Sequence, residues 1–255
     1  MHPAEMVVLA RSRWPHVEIH CPAPHEAVKR LADDIAERLR QALLARGQAV
    51  LCVSGGKSPV ALFEALRVAP LAWAQVTVTL VDERCVPTDH PDSNARLVRT
   101  HLLQDAAAAA RFVPLIDSPS GEWPRPEDAA RHADAAVAAL PVPDVLVLGM
   151  GADGHTASLF AGSPDLARAL DLATPDKVCA VRLPEPPPHP PHPRLTLTLA
   201  QILRARRILL PVQGADKLLM LGQAARDGHA PGPSALPVSH VLHQTTAPVD
   251  LWLPL

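Results

Sequence analysis

Residues Asp144–Phe160 read DVLVLGMGADGHTASLF. Four consecutive apolar residues, Val145–Leu148, break into a glycine-rich turn that carries Asp153 and His155. The pattern predicts a buried strand, a turn, and a helix starting over Thr156–Phe160, with a titratable pair delivered to the strand's end. Three further stretches break off in the same way. QAVLCV runs into Ser54-Gly55-Gly56-Lys57-Ser58-Pro59, VTVTLV into Asp82-Glu83-Arg84, and RRILLPV towards Gly214-Ala215-Asp216-Lys217. In an open α/β sheet the ligand crevice lies beyond the carboxyl ends of the strands, so polar groups at four such ends are placed to meet one ligand.

Working outward, the short apolar runs near 49–53, 76–81, 144–148 and 206–212 read as strands buried on both faces. Between them lie helical patterns at Pro59–Leu66, Ser93–Leu103, Glu127–Leu140, Thr156–Phe160 and Asp216–Arg226. A further amphipathic helix is predicted from Pro24 to Gly47, where Ala27, Leu31, Ile35, Leu39 and Leu43 recur every fourth position. Alternating strands and helices predict an α/β fold, a doubly wound and mostly parallel sheet with helices on both faces. Residues 184–193, PEPPPHPPHP, hold seven prolines in ten positions, which excludes them from a sheet interior and predicts an extended surface loop. His189 and His192 within it read as incidental.

The chain has 255 residues, 48% of them hydrophobic, enough for a full core, and we expect a single domain over 1–255. A formal charge of -2 gives no general field for nucleic acid or an anionic membrane, so any bound anion must be held by local groups. Cys21, Cys52, Cys85 and Cys179 are widely spaced without C-x-x-C, the pattern of reduced thiols in a cytoplasmic protein. The opening MHPAEMVVLARSRWP lacks the order of a signal peptide, and no run approaches the roughly 18 apolar residues of a membrane span.

Each motif has a plain reading beside its functional one. Gly149-Met150-Gly151-Ala152-Asp153-Gly154 satisfies G-x-G-x-x-G, yet it falls past the midpoint of the chain and is followed by a histidine, which argues against a dinucleotide site. Gly56-Lys57-Ser58 matches the end of a Walker A loop, but Leu51 stands where its first glycine belongs. Two readings of Ser54–Gly56 stay open: amides that meet a phosphate at a helix N-terminus, or a tight strand-to-helix turn. Asp82-Glu83-Arg84 is either a ligand-facing carboxylate and guanidinium or a surface ion pair. H-E-x-x-H, G-x-S-x-G and any compact Cys/His cluster in sequence are missing, which leaves a histidine acting on water as the plainest hydrolytic option.

Taken in order, SGGKSP, VDERCVPTDHPDSN, GMGADGHTASLF, PRLTLT and GADKLLML resemble the 6-phosphogluconolactonase family, within a superfamily that includes glucosamine-6-phosphate deaminase. The resemblance implies a Rossmann-like fold and hydrolysis of 6-phosphoglucono-δ-lactone without metal or organic cofactor. It implies His155 as general base, places Asp82 beside it as a catalytic group that either orients His155 or binds sugar hydroxyls, and puts Arg84 in the pocket. Arg194 and Lys217 would hold phosphate with Ser54, Gly55 and Gly56, and Asp153 would line the substrate site. The family's usual Ser-Gly-Gly-Ser-Thr-Pro is altered here to Lys57 and Ser58, so Lys57 either adds a phosphate contact or points to solvent. A deaminase-like isomerase and a non-catalytic sugar-phosphate sensor are the alternative readings; in the deaminases a tyrosine typically follows Asp-Glu, where this chain has Arg84. The expected partner is a small phosphorylated sugar lactone, with no nucleic acid, membrane or obligate protein partner.

Overall fold

The computed structural model describes residues 3–119, 121–226 and 235–255. Its strands are β1 (Glu18–His20), β2 (Ala49–Val53), β3 (Val76–Leu80), β4 (Asp82–Arg84), β5 (Arg111–Val113), β6 (Val145–Val147), β7 (Val178–Val181), β8 (Arg194–Leu197), β9 (Ile208–Pro211) and β10 (Val249–Trp252). Its helices are α1 (Pro3–Arg13), α2 (Ala27–Arg46), α3 (Val60–Leu66), α4 (Asn94–His101), α5 (Pro126–Ala138), α6 (Leu166–Leu170), α7 (Leu199–Ile202), α8 (Ala215–Ala224) and α9 (Pro237–Leu242).

Seven strands form one parallel sheet in the order β1-β10-β9-β6-β2-β3-β5. From β2 the chain steps to β3 and β5 on one side, then returns to β6 and β9 on the other. Right-handed crossovers that run in opposite directions leave their helices on opposite faces, and a crevice opens where the direction reverses. That switch point lies between β2 and β6, the strands that precede Ser54–Gly56 and Gly149–His155. All five residues of β2 and all three of β6 are buried, as expected for strands covered on both faces.

The long helix α2 ends as its sequence predicts. Gly47 adopts the left-handed conformation (φ 69°) and its amide closes onto Leu43 O, a stop that glycine makes without a β-carbon penalty. Its face of Leu31, Ile35 and Leu39 is buried in the core. The four predicted strands form at 49–53, 76–80, 145–147 and 208–211.

Two features depart from the sequence reading. The helix expected over Thr156–Phe160 does not form; bridges Met150–Thr156 and Thr156–Leu159 fold the segment into a compact turn, with Ala157 at φ 51°. Thr156 Oγ1 donates to Gly149 O at 2.8 Å and the Ser158 amide donates to Thr196 Oγ1 at 3.2 Å, so side chains take up bonds that a helix would make with its own backbone. The dinucleotide reading loses its helix with it. The second departure is a small antiparallel sheet, β4-β8-β7, which pairs Asp82 with Thr196 and Arg84 with Arg194. Asp82-Glu83-Arg84 is therefore itself a short strand. No helix among the described residues is long and apolar enough to cross a membrane.

Candidate active site

A cavity of about 450 Å³ opens at the switch point, lined by groups from all four predicted strand ends. Ser54, Gly55 and Gly56 follow β2, Asp82 and Arg84 follow β3, Gly151 and His155 follow β6, and Gly214 and Lys217 follow β9. Ala27, Val28, Leu31, Leu62 and Trp252 contribute an apolar wall that the sequence reading did not foresee. Residues on α2 and at the far end of the chain carry no local sign that they face a ligand.

His155 is held by the turn that replaces the expected helix. Its Nδ1 lies 2.5 Å from Asp153 Oδ1, the same oxygen accepts the His155 amide at 3.2 Å, and the ring packs on Phe160 with centroids 4.6 Å apart. Partial desolvation pushes the Asp153 carboxyl up, but the hydrogen bond and charge of His155 outweigh it and hold the group below its ordinary value. With Asp153 on Nδ1, the ring's Nε2 is left for other partners. Asp153 itself is exposed and is not part of the cavity lining. Gly151 is required beside the pair: a β-carbon there would stand 2.2 Å from His155 Cε1.

Asp82 is buried and serves a different neighbour. Its Oδ2 accepts from Ser158 Oγ at 2.6 Å, and its backbone carbonyl accepts from Asn94 Nδ2 at 2.9 Å. Asn94 also lines the cavity, and its side chain fills the space over Gly55, where a β-carbon would come within 1.9 Å of Asn94 Oδ1. Neither Ser158 nor Asn94 was singled out from the sequence, although both lie inside the motifs quoted above. Ser54 Oγ accepts the Gly149 amide at 3.0 Å and so ties the two loops of the switch point together.

Glu83, between Asp82 and Arg84, is a positioning group. Its carboxylate accepts the amides of Arg84, Asn94 and Ala95, each at 2.7 Å, and Ser93 Oγ at 3.2 Å, so it closes the N-terminus of α4. Burial pushes its carboxyl up to about 7, against the pull of those amides.

Cations stand at two edges. Arg84 Nη1 donates to Asp92 O at 2.5 Å, and Lys217 Nζ lies 3.4 Å from Ser58 Oγ, half-buried, where desolvation pushes its ammonium below the ordinary value. Arg194 is the other cation expected at the phosphate. It is buried outside the cavity lining and donates to His192 O at 2.5 Å and Pro190 O at 2.6 Å; burial first, then the charge of Arg84, pushes it down to about 10. Lys57 is exposed and outside the lining. Cys52, Cys85 and Cys179 are buried and free, and Cys21 is exposed and free.

The fold and site together describe a doubly wound α/β protein with a His–Asp pair and cationic groups at its switch-point crevice. Comparison with known proteins narrows this class. Residues 22–251 match the family described as glucosamine-6-phosphate isomerases/6-phosphogluconolactonase. A 6-phosphogluconolactonase of Mesorhizobium japonicum is 50% identical over 227 residues, 88% of this chain and 90% of its own length; one of Pseudomonas putida is 48% identical over 225 residues, 88% and 87% of the two chains. A 6-phosphogluconolactonase crystal structure from Shewanella baltica superposes with a TM-score of 0.83 at 39% identity, covering 92% of this chain and 97% of that one. The chain belongs to the glucosamine-6-phosphate isomerase/6-phosphogluconolactonase family.

Proposed function

We propose that this chain is a cytoplasmic enzyme that hydrolyses 6-phosphoglucono-δ-lactone to 6-phosphogluconate, with His155 as general base. The observation that carries the reading is His155, paired with Asp153 at 2.5 Å and lining the same cavity as Arg84, Lys217 and the Ser54–Gly56 loop. The names of the relatives at about half identity support the choice of substrate.

A δ-lactone is an activated ester, so positioning, proton removal and stabilisation of the growing oxyanion suffice without a covalent nucleophile. Nε2 of His155 takes a proton from water as its oxygen bonds to the lactone carbonyl carbon. The bond from that carbon to the ring oxygen then breaks, and the leaving alkoxide receives the proton back from the imidazolium. Asp153 holds the ring and offsets its transient charge. The scheme needs neither metal nor organic cofactor.

Arg84 and Lys217 hold the phosphate with the amides of Gly55 and Gly56, each charge-assisted bond contributing about 1.5–3 kcal/mol. Arg194, the cross-strand neighbour of Arg84, adds positive field. Asp82, engaged by Ser158 and not by His155, accepts a sugar hydroxyl with its remaining lone pairs.

The test is hydrolysis of freshly generated 6-phosphoglucono-δ-lactone beside the unphosphorylated lactone, corrected for the spontaneous rate. Strong preference for the phosphorylated compound is expected. Equal rates, or release of ammonia from glucosamine-6-phosphate in place of lactone hydrolysis, would overturn the assignment.

A further inference from the structure

A cluster of side chains of metal-ligating type lies outside the cavity. His90 and Asp92 sit on the segment between β4 and α4, and His192 sits at the end of the proline run, 100 residues further along the chain. His192 Nε2 is 2.9 Å from Asp92 Oδ2, and His90 Nδ1 is 3.8 Å from the same oxygen. The two imidazole rings stand 5.3 Å apart at 84°. One ligand atom from each residue lies within 4.8 Å of the others. All three are partly buried, and none lines the His155 cavity. His192, incidental by sequence, is thus a structural contact between two loops.

We propose that His90, Asp92 and His192 bind a divalent transition cation of the zinc class, which ties the β4–α4 segment to the proline run.

Two imidazoles and a carboxylate form a donor set suited to zinc, cobalt or nickel, with solvent completing the coordination. Magnesium and calcium prefer all-oxygen shells and are disfavoured. Ligand atoms about 2.0–2.1 Å from a tetrahedral ion stand about 3.3 Å from one another. The separations of 2.9 and 3.8 Å bracket that value and the third pair lies within 4.8 Å, so side-chain movements on the order of 1 Å close the set around an ion. The Asp92 amide donates to His90 Nδ1 at 3.1 Å, which keeps an unprotonated nitrogen turned toward Asp92; the ion takes that lone pair in place of the amide. Trp123 forms a wall beside both rings, its centroid 5.5 Å from His90 and 5.8 Å from His192.

The bound ion would join the two segments whose carbonyls hold the site's arginines, since Asp92 O accepts from Arg84, and His192 O and Pro190 O accept from Arg194. Those guanidiniums also place positive charge nearby, which sets the affinity below that of a closed structural zinc site. The inference does not depend on the reaction proposed above.

The test uses the full chain after chelator treatment, titrated with Co²⁺ and then Zn²⁺. One equivalent of Co²⁺ should give a visible absorption band and quench the fluorescence of Trp123, which is exposed while Trp14, Trp73 and Trp252 are buried. Zn²⁺ should displace the Co²⁺ and raise the thermal midpoint, and Mg²⁺ should do neither. In the double variant His90→Gln/His192→Gln, chosen to keep size and hydrogen bonding, affinity should fall by more than about 10-fold. The Zn²⁺-dependent rise in midpoint should vanish while the midpoint in chelator stays near the parent's. If the parent chain takes up no equivalent, or the double variant binds as tightly as the parent, the proposal is overturned; the second result would put the ion on other histidines.

Discussion

Asp153 Oδ1 approaches His155 Nδ1 to 2.5 Å and also accepts the His155 amide, so one carboxylate oxygen holds both the ring and the backbone of the same residue. A carboxylate so placed selects the tautomer and stabilises the imidazolium that forms during proton transfer. His155→Ala should lower kcat by about 10²–10⁴-fold and leave binding of 6-phosphogluconate nearly intact. Asp153→Asn should lower kcat by a smaller factor with KM little changed. Groups that act as a unit are not additive, so the double variant should be no slower than His155→Ala alone. Additive losses in steady-state kinetics would separate Asp153 from the base.

Gly151 has no space for a side chain, because a β-carbon would stand 2.2 Å from His155 Nδ1 and 2.5 Å from Asp153 Oδ1. Gly151→Ala must therefore displace the imidazole or the carboxylate. A misplacement of about 1 Å can cost about 10²-fold, so kcat should fall by that order while calorimetric binding of the product persists. Retention of full turnover would show that the pair is not aligned for catalysis as described.

Lys217 gives the pH prediction. Burial pushes its ammonium below the ordinary 10.5, so in the free protein it loses its proton at a lower pH than an exposed lysine. The charged form binds phosphate, so affinity for 6-phosphogluconate should weaken as pH rises through that lowered value. Lys217→Arg should hold affinity further into the alkaline range, since guanidinium stays charged there. Lys217→Ala should raise KM more than it lowers kcat. Isothermal titration between neutral and alkaline pH separates these outcomes; the same alkaline limb in parent and Lys217→Arg would remove Lys217 from the phosphate site.

Glu83 holds three amides and a hydroxyl at the start of α4. Glu83→Gln turns an amide group toward those donors and leaves some without an acceptor, at a cost of about 1–3 kcal/mol. At roughly 2–4 °C per kcal/mol, the thermal midpoint should fall by several degrees. Asp82, Arg84 and Asn94 flank this carboxylate, so turnover should fall as well. An unchanged midpoint would mean that α4 is held by other contacts.

The parallel core was legible because buried strands leave uninterrupted apolar runs, and QAVLCV, VTVTLV and RRILLPV each stop at a polar residue, Ser54, Asp82 and Gln213. The end of α2 was legible because only glycine meets a left-handed C-terminus without strain. The three-residue β1, β4 and β5 left no such signal: pairing with distant partners makes them strands. The helix misread at Thr156–Phe160 fails for a related reason, since Thr156 and Ser158 bond to Gly149 and Thr196 in place of their own helical neighbours.

Local sequence by itself determined which residue types stand at four strand ends, because apolar periodicity and glycine punctuation act over a few residues. The tertiary structure alone decided their partners: Asp153 and not Asp82 meets His155, Ser158 meets Asp82, Arg194 turns to the Pro190 and His192 carbonyls, and His192 finds Asp92. Ser158–Asp82 and His192–Asp92 join residues far apart in the chain, and only packing of the whole sheet sets the distances over which hydrogen bonds and charges act.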